Sequence, residues 1–239
     1  MNFVMMGFGY YGYYIDFTYI LVIIGAVICL LASAGVNSTM NKHHKQRIMT
    51  GITGVDCARR ILDNEGLYYV QVGITDRGDH YNPSENTVYL SAKNFHSSSI
   101  TAVSVAAHEC GHAIQHAQEY APLNIRSALV PVVNIGSNLS WPIIILGIIL
   151  SYNQTLIQIG IWAFSLAVLF QLVTLPVEFN ASHRAVAKLE QFGIVTSEEN
   201  RGSKKVLRAA AFTYVAAAAS SILQLLRLVL LFGGGRSRD

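Results

Sequence analysis

Four long stretches of this 239-residue chain carry almost no charge. Phe17–Val36 reads FTYILVIIGAVICLLASAGV, Leu129–Leu150 ends in PIIILGIIL, Leu156–Val177 has no charged side chain, and Ala209–Phe232 has only Arg227. An α-helix rises about 1.5 Å per residue, so roughly 20 mainly apolar residues cross the ~30 Å hydrocarbon core of a bilayer. Backbone polar groups find no partner in hydrocarbon, so each stretch is expected to cross as a helix. The second stretch is the least regular, with Asn134, Asn138 and Pro142. Its first half could instead lie along the membrane surface. Ala32-Ser33-Ala34 resembles a signal cleavage site, but no Lys or Arg precedes the apolar run and the run is too long for a signal core. It is read as a retained anchor.

Lys and Arg orient the spans. The segment Asn37–Ser127 holds eight of them and Glu178–Arg208 holds six, so 14 of the 17 basic residues fall on one side of a four-span chain. That side is expected to be the cytoplasm. The first 16 residues and the link Ser151–Thr155 hold none. Arg236 and Arg238 dissent, falling outside, and Arg227 could snorkel toward that outer surface. A net charge of +3 gives no argument for nucleic acid as a partner. Cys29, Cys57 and Cys110 are odd in number and scattered, which is no disulfide framework.

The boundaries expected are a first segment and span over 1–36, a cytoplasmic α+β region over 37–128, two spans over 129–177, a cytoplasmic helix over 178–208, and a last span and tail over 209–239. Within the α+β region, Thr53–Gly66 has the apolar stripe of a helix and Gly66 as its stop. Leu67–Thr75 and Thr87–Leu90 read as strands, separated by a turn at Asn82-Pro83-Ser84. Ser97–Ser99 offers caps for a helix from about Ile100 to Gln118.

That last helix contains His108-Glu109-Cys110-Gly111-His112, an H-E-x-x-H motif. Positions i and i+4 differ by about 40° around a helix and one turn along it. Two imidazoles can therefore bind one zinc from the same face, with Glu109 beside them to take a proton from a metal-bound water. His116 repeats the spacing, but lies about 12 Å along the helix from His108. No helix breaker separates it from His112, so it is expected to be a structural neighbour rather than a ligand. Cys110 points away from both histidines.

A third ligand must come from elsewhere, and eleven carboxylates besides Glu109 share that side of the membrane. Glu178 is distinctive because it follows the 22-residue apolar run Leu156–Val177 directly. A carboxylate at the mouth of a span needs a partner or a ligand. It could bind the metal, reach to water, or pair with Arg184.

The blocks TGVDCARRIL, DHYNPSENTVYLS, AAHECGHAIQHA and LPVEFNASHRA, in this order, resemble the YugP-type neutral zinc metallopeptidases of bacterial membranes. The resemblance runs from about Thr18 to Phe232. It implies a membrane-embedded zinc endopeptidase of the glutamate-zincin type, with one Zn2+ per chain. His108, His112 and Glu178 would be its ligands, and Glu109 would be the general base that activates the zinc-bound water. The wider group, to which the heat-shock protease HtpX is related, has an Asp four residues after this Glu. Here that position is Ser182. His80, His183 and Arg184 are candidates for stabilising the oxyanion. Thr87–Leu90 could pair with an extended substrate if it is an edge strand, or could be interior.

The fold expected is a membrane α-helical protein with about four transmembrane helices, a small cytoplasmic α+β part and a zinc helix. Its partners would be the lipid bilayer and protein or peptide substrates, membrane proteins among them. Its place would be the bacterial cell membrane, with the site facing the cytoplasm. The competing expectations are a four-span protein with a structural or regulatory zinc and no hydrolytic activity, and a transporter. The spans hold too few ionisable groups to favour a charged pathway.

Overall fold

The computed structural model describes residues 16–233. Most of the Gly- and Tyr-rich start, and the tail with Arg236 and Arg238, lie outside the described residues. Helix α1 is Tyr19–His44, α2 is Gly54–Asn64, α3 is Ala92–Phe95 and α4 is Ile100–Ala117. Helices α5 (Ala121–Ile149), α6 (Gln154–Gln191) and α7 (Ser197–Phe232) follow. Strands β1 (Gln71–Ile74), β2 (His80–Asn82) and β3 (Thr87–Leu90) lie between α2 and α3.

α1, α5, α6 and α7 are each long and apolar enough to cross a membrane. The protein is thus a four-span helical membrane protein with a small α+β part. The chain divides into two compact units. The first comprises the described residues of 1–31, 129–172 and 216–239. Its surface is apolar, with Ile23, Leu30, Ile135, Trp162 and Leu169 all exposed, as lipid-facing side chains are. α5 is one continuous helix despite Pro131 and Pro142. In a bilayer, neighbouring helices and side chains compensate the backbone groups that proline frees.

Small residues set the close contacts within this unit. A Cβ at Gly160 would run into Ile144 Cγ1 and lie 2.9 Å from the Ser140 carbonyl, and one at Gly25 would lie 2.7 Å from Ser220 Oγ. Arg227 is held by the Asp16 carboxylate at 3.6 Å. Its guanidinium lies 4.1 Å from the Tyr19 ring centroid. The cation is therefore paired within the unit, which is how an ionisable group is accommodated in an apolar span.

The second unit comprises residues 32–128 and 173–215. α2 starts with a capping box in which Thr53 and Asp56 satisfy each other's backbone N–H groups. The helix stops before Gly66, whose φ of +74° suits a residue without Cβ. Cys57, Ala58, Ile61 and Leu62 bury the apolar face of α2 in a core shared with Val88, Leu90, Val103, Ala106, Ala107, Cys110 and Leu189. The sheet order is β1-β3-β2, with β3 parallel to β1 and antiparallel to β2.

β3 is therefore the interior strand, paired on both sides, and it has no edge to offer a substrate. The first strand is shorter than its sequence suggests, because Leu67–Val70 closes a turn through Val70 N–H to Leu67 O at 3.1 Å. β2 and α3 were not anticipated. At three and four residues they are too short to show a hydrophobic period.

Candidate metal centre

α4 positions the first half of the site. Ser99 caps it by accepting from the Ala102 N–H. Fourteen of its eighteen residues are buried, including Glu109, only 8% exposed. α6 supplies the second half. The two helices touch at Gly111, where a Cβ would lie 2.7 Å from the Ala181 carbonyl oxygen. Only glycine permits this approach, and it sits between the two histidines of the motif.

The approach brings Glu178 to His108 and His112. Glu178 Oε2 lies 3.2 Å from His108 Nε2 and 3.6 Å from His112 Nε2. The three donor atoms all lie within 4.8 Å of one another. A tetrahedral zinc with bonds of 2.0–2.2 Å holds its ligand atoms about 3.3–3.6 Å apart. Glu178 itself is 3% exposed, which would be costly for an unshared carboxylate.

The hydrogen-bond chain behind His112 fixes its tautomer. Arg184, which can only donate, gives its Nε–H to Asn180 Oδ1 at 2.7 Å. The Gln115 amide donates to that same Oδ1 and to the Val177 carbonyl, both at 2.9 Å. Gln115 Oε1 is therefore turned to His112 Nδ1, at 3.0 Å. An amide oxygen only accepts, so Nδ1 carries the hydrogen and, in the neutral imidazole, Nε2 keeps its lone pair. That lone pair faces a carboxylate oxygen, and two acceptors facing each other call for a cation between them. On the other imidazole, Ser182 Oγ lies 3.2 Å from His108 Nδ1. The serine hydroxyl thus stands behind this imidazole.

Burial opposes a charge on His112. The Glu178 carboxylate as acceptor for a protonated Nε2–H, the charges of Glu109 and Glu178 and the contact with Gln115 outweigh it, so its pKa is raised above the ordinary value. The surroundings of this imidazole favour positive charge.

The remaining candidates separate clearly. His116 bonds to the Tyr81 hydroxyl at 2.9 Å and is not among the three converging groups. Cys110 is buried with its Sγ toward the Ala58 carbonyl, and burial raises its thiol pKa. Arg184 is engaged by Asn180 and by Gln118, at 2.6 Å, rather than by Glu178. His80 stacks on Tyr89 and bonds to the Gly78 carbonyl, while His183 is exposed. Tyr214 on α7, near enough to Glu178 and Glu109 to feel both charges, had no sequence signal, because an aromatic residue in an apolar stretch looks like packing. Gln115 and Asn180 were equally silent, since only the folded structure gives them partners.

The chain is a member of a zinc metallopeptidase family. The family described as "Putative neutral zinc metallopeptidase" matches residues 18–233. The chain is 47% identical over 207 residues to "Putative membrane protease YugP" of Bacillus subtilis (strain 168), covering 85% of this chain and 91% of that relative. No solved structure matches it.

Proposed function

We propose that this protein is an endopeptidase that hydrolyses peptide bonds at the cytoplasmic membrane surface, with one zinc held by His108, His112 and Glu178. The observation that carries this reading is the convergence of three acceptor atoms at zinc-ligand spacing, with Glu109 adjacent on the same helix. When bound there, zinc would polarise the scissile carbonyl and acidify water. Glu109 takes a proton from the attacking water and later gives it to the leaving amine. The small exposure of Glu109 limits competing solvation of its carboxylate. Tyr214, near both Glu178 and Glu109, brings a hydroxyl to this group and takes the oxyanion role.

The bias of 14 basic residues to one side supports a cytoplasmic site. Glu178 immediately follows the third apolar stretch, which supports chemistry close to the bilayer. Protein or peptide substrates, membrane proteins among them, suit that location better than small solutes or nucleic acid. The outer edge of β2 is available for an extended substrate in place of β3.

The test uses the full chain purified in detergent, with zinc content by mass spectrometry and cleavage of casein. Glu109→Gln is expected to keep stoichiometric zinc and to lose cleavage by at least about 100-fold. Cleavage at the wild-type rate by that variant would leave a structural or regulatory zinc as the better account.

A further inference from the structure

In the second unit, the end of α1, the start of α4 and the first turns of α7 line an open cavity of about 450 Å³. That volume lies within the range of small-ligand sites, roughly 300–1,000 Å³. Lys42, Arg201 and Lys205 line it. Among the described residues, none of the three lies within ion-pair distance of a carboxylate.

Two glutamates share the lining. Glu199 is already committed, accepting from the Met49 N–H at 2.7 Å and the Thr196 N–H at 2.8 Å. Glu198 is exposed in the first turn of α7. Positive charge therefore prevails. Behind the cations the wall is close-packed: a Cβ at Gly202 would lie 3.1 Å from both His43 and Ile100. His43, 5% exposed, gives its Nδ1–H to the Thr39 carbonyl at 2.9 Å.

Depth indicates which anion meets this cavity. Lys42 lies six residues beyond Val36, where the first apolar stretch ends, and Lys205 lies four residues before Ala209, where the fourth begins. Along a helix these offsets are about 9 Å and 6 Å. The polar layer on each side of the ~30 Å core is about 5–8 Å thick. Both lysines thus stand near headgroup depth, and Arg201, one turn before Lys205, stands farther out.

We propose that this cavity binds the phosphate of an anionic phospholipid headgroup, through Lys42, Arg201 and Lys205. Basic pockets beside transmembrane helices on the cytoplasmic face have this chemistry. The site is separate from the His108–His112–Glu178 group and stands whether or not that group is catalytic.

The experiment titrates the full chain, in neutral detergent, with dioleoylphosphatidylglycerol, with dioleoylphosphatidylcholine, and with sodium phosphate. Retained lipid is counted by native mass spectrometry and half-saturation is read from the thermal shift. Phosphatidylglycerol is expected to be retained in preference to phosphatidylcholine. Lys42→Gln and Arg201→Gln should each weaken its half-saturation about fivefold. Lys204→Gln, exposed on α7 but off the cavity, should leave it unchanged. Equal retention of the two lipids overturns the proposal. So does wild-type phosphatidylglycerol binding by Lys42→Gln, an exposed residue whose loss leaves the core intact. A shift with sodium phosphate alone, lost in the same variants, would assign the cavity to a soluble phosphate and overturn the lipid source.

Discussion

α4 and α6 meet at one site but encode it differently. α4 carries His108, Glu109 and His112 within five residues, and any α-helix of that sequence puts both imidazoles on one face. α6 carries Glu178 alone, and its carboxylate reaches the imidazoles only because Gly111 lets the Ala181 backbone close in. Half of the candidate site is thus a property of local helical geometry, and half is a property of tertiary packing. The two halves should respond differently to substitution.

The largest effect tests whether the halves are one site. His108→Ala and Glu178→Ala should both lose zinc, by more than the roughly 10–100-fold typical of losing an outer hydrogen-bond partner. Casein cleavage should fall to background in both. Zinc analysis of the purified variants checks this. Full zinc occupancy in Glu178→Ala alone would leave α4 as the whole of the site and remove α6 from it.

This division also explains what was legible beforehand. The four spans could be read because an uncharged stretch of some 20 residues has few alternatives. H-E-x-x-H could be read because its ligands share one helix. Glu178 was visible only as an ill-placed carboxylate after Val177, with water or Arg184 as rival partners, until the family resemblance singled it out. Nothing local marked Gln115, Asn180 or Tyr214: Gln115 meets Val177 and Asn180 from more than 60 residues away in sequence, and Tyr214 comes near Glu178 only in the fold. Thr87–Leu90 read correctly as a strand, but its place in the sheet depended on β2, three residues long and invisible as a pattern.

Gly111→Ala sets local against tertiary energetics most directly. Helix propensity alone favours alanine there by about 1 kcal/mol. Packing opposes it, because the added Cβ would lie 2.7 Å from a backbone oxygen that has no flexible end to move. Overpacking of this kind typically costs about 1–3 kcal/mol. The expected outcome is a lower melting temperature and weaker zinc binding, followed by thermal unfolding in detergent and by chelator competition. A stabilised variant with unchanged zinc affinity would mean that the two helices do not depend on this contact.

Gln115→Leu leaves both helices in place and removes the acceptor that holds His112 Nδ1–H. Zinc affinity should fall about 10–100-fold while the helical circular dichroism is unchanged. The variant also frees the Val177 carbonyl and one lone pair of Asn180, so some loss of thermal stability should accompany it.

Ser182 should give the smallest effect and the sharpest distinction between the imidazoles. Its hydroxyl stands 3.2 Å from His108 Nδ1, longer than the 3.0 Å contact from Gln115 to His112, and unlike an amide oxygen it can rotate to donate instead. Ser182→Ala should therefore weaken zinc by less than Gln115→Leu, at or below about tenfold. Ser182→Asp places a charged acceptor behind the same nitrogen, which raises the basicity of Nε2, and should tighten zinc relative to wild type. Competition against a zinc indicator, run on the three variants together, checks the order. If Ser182→Ala weakened zinc more than Gln115→Leu, His108 would be the imidazole whose orientation limits the site, and its contact with α6 would outweigh the contact made within α4.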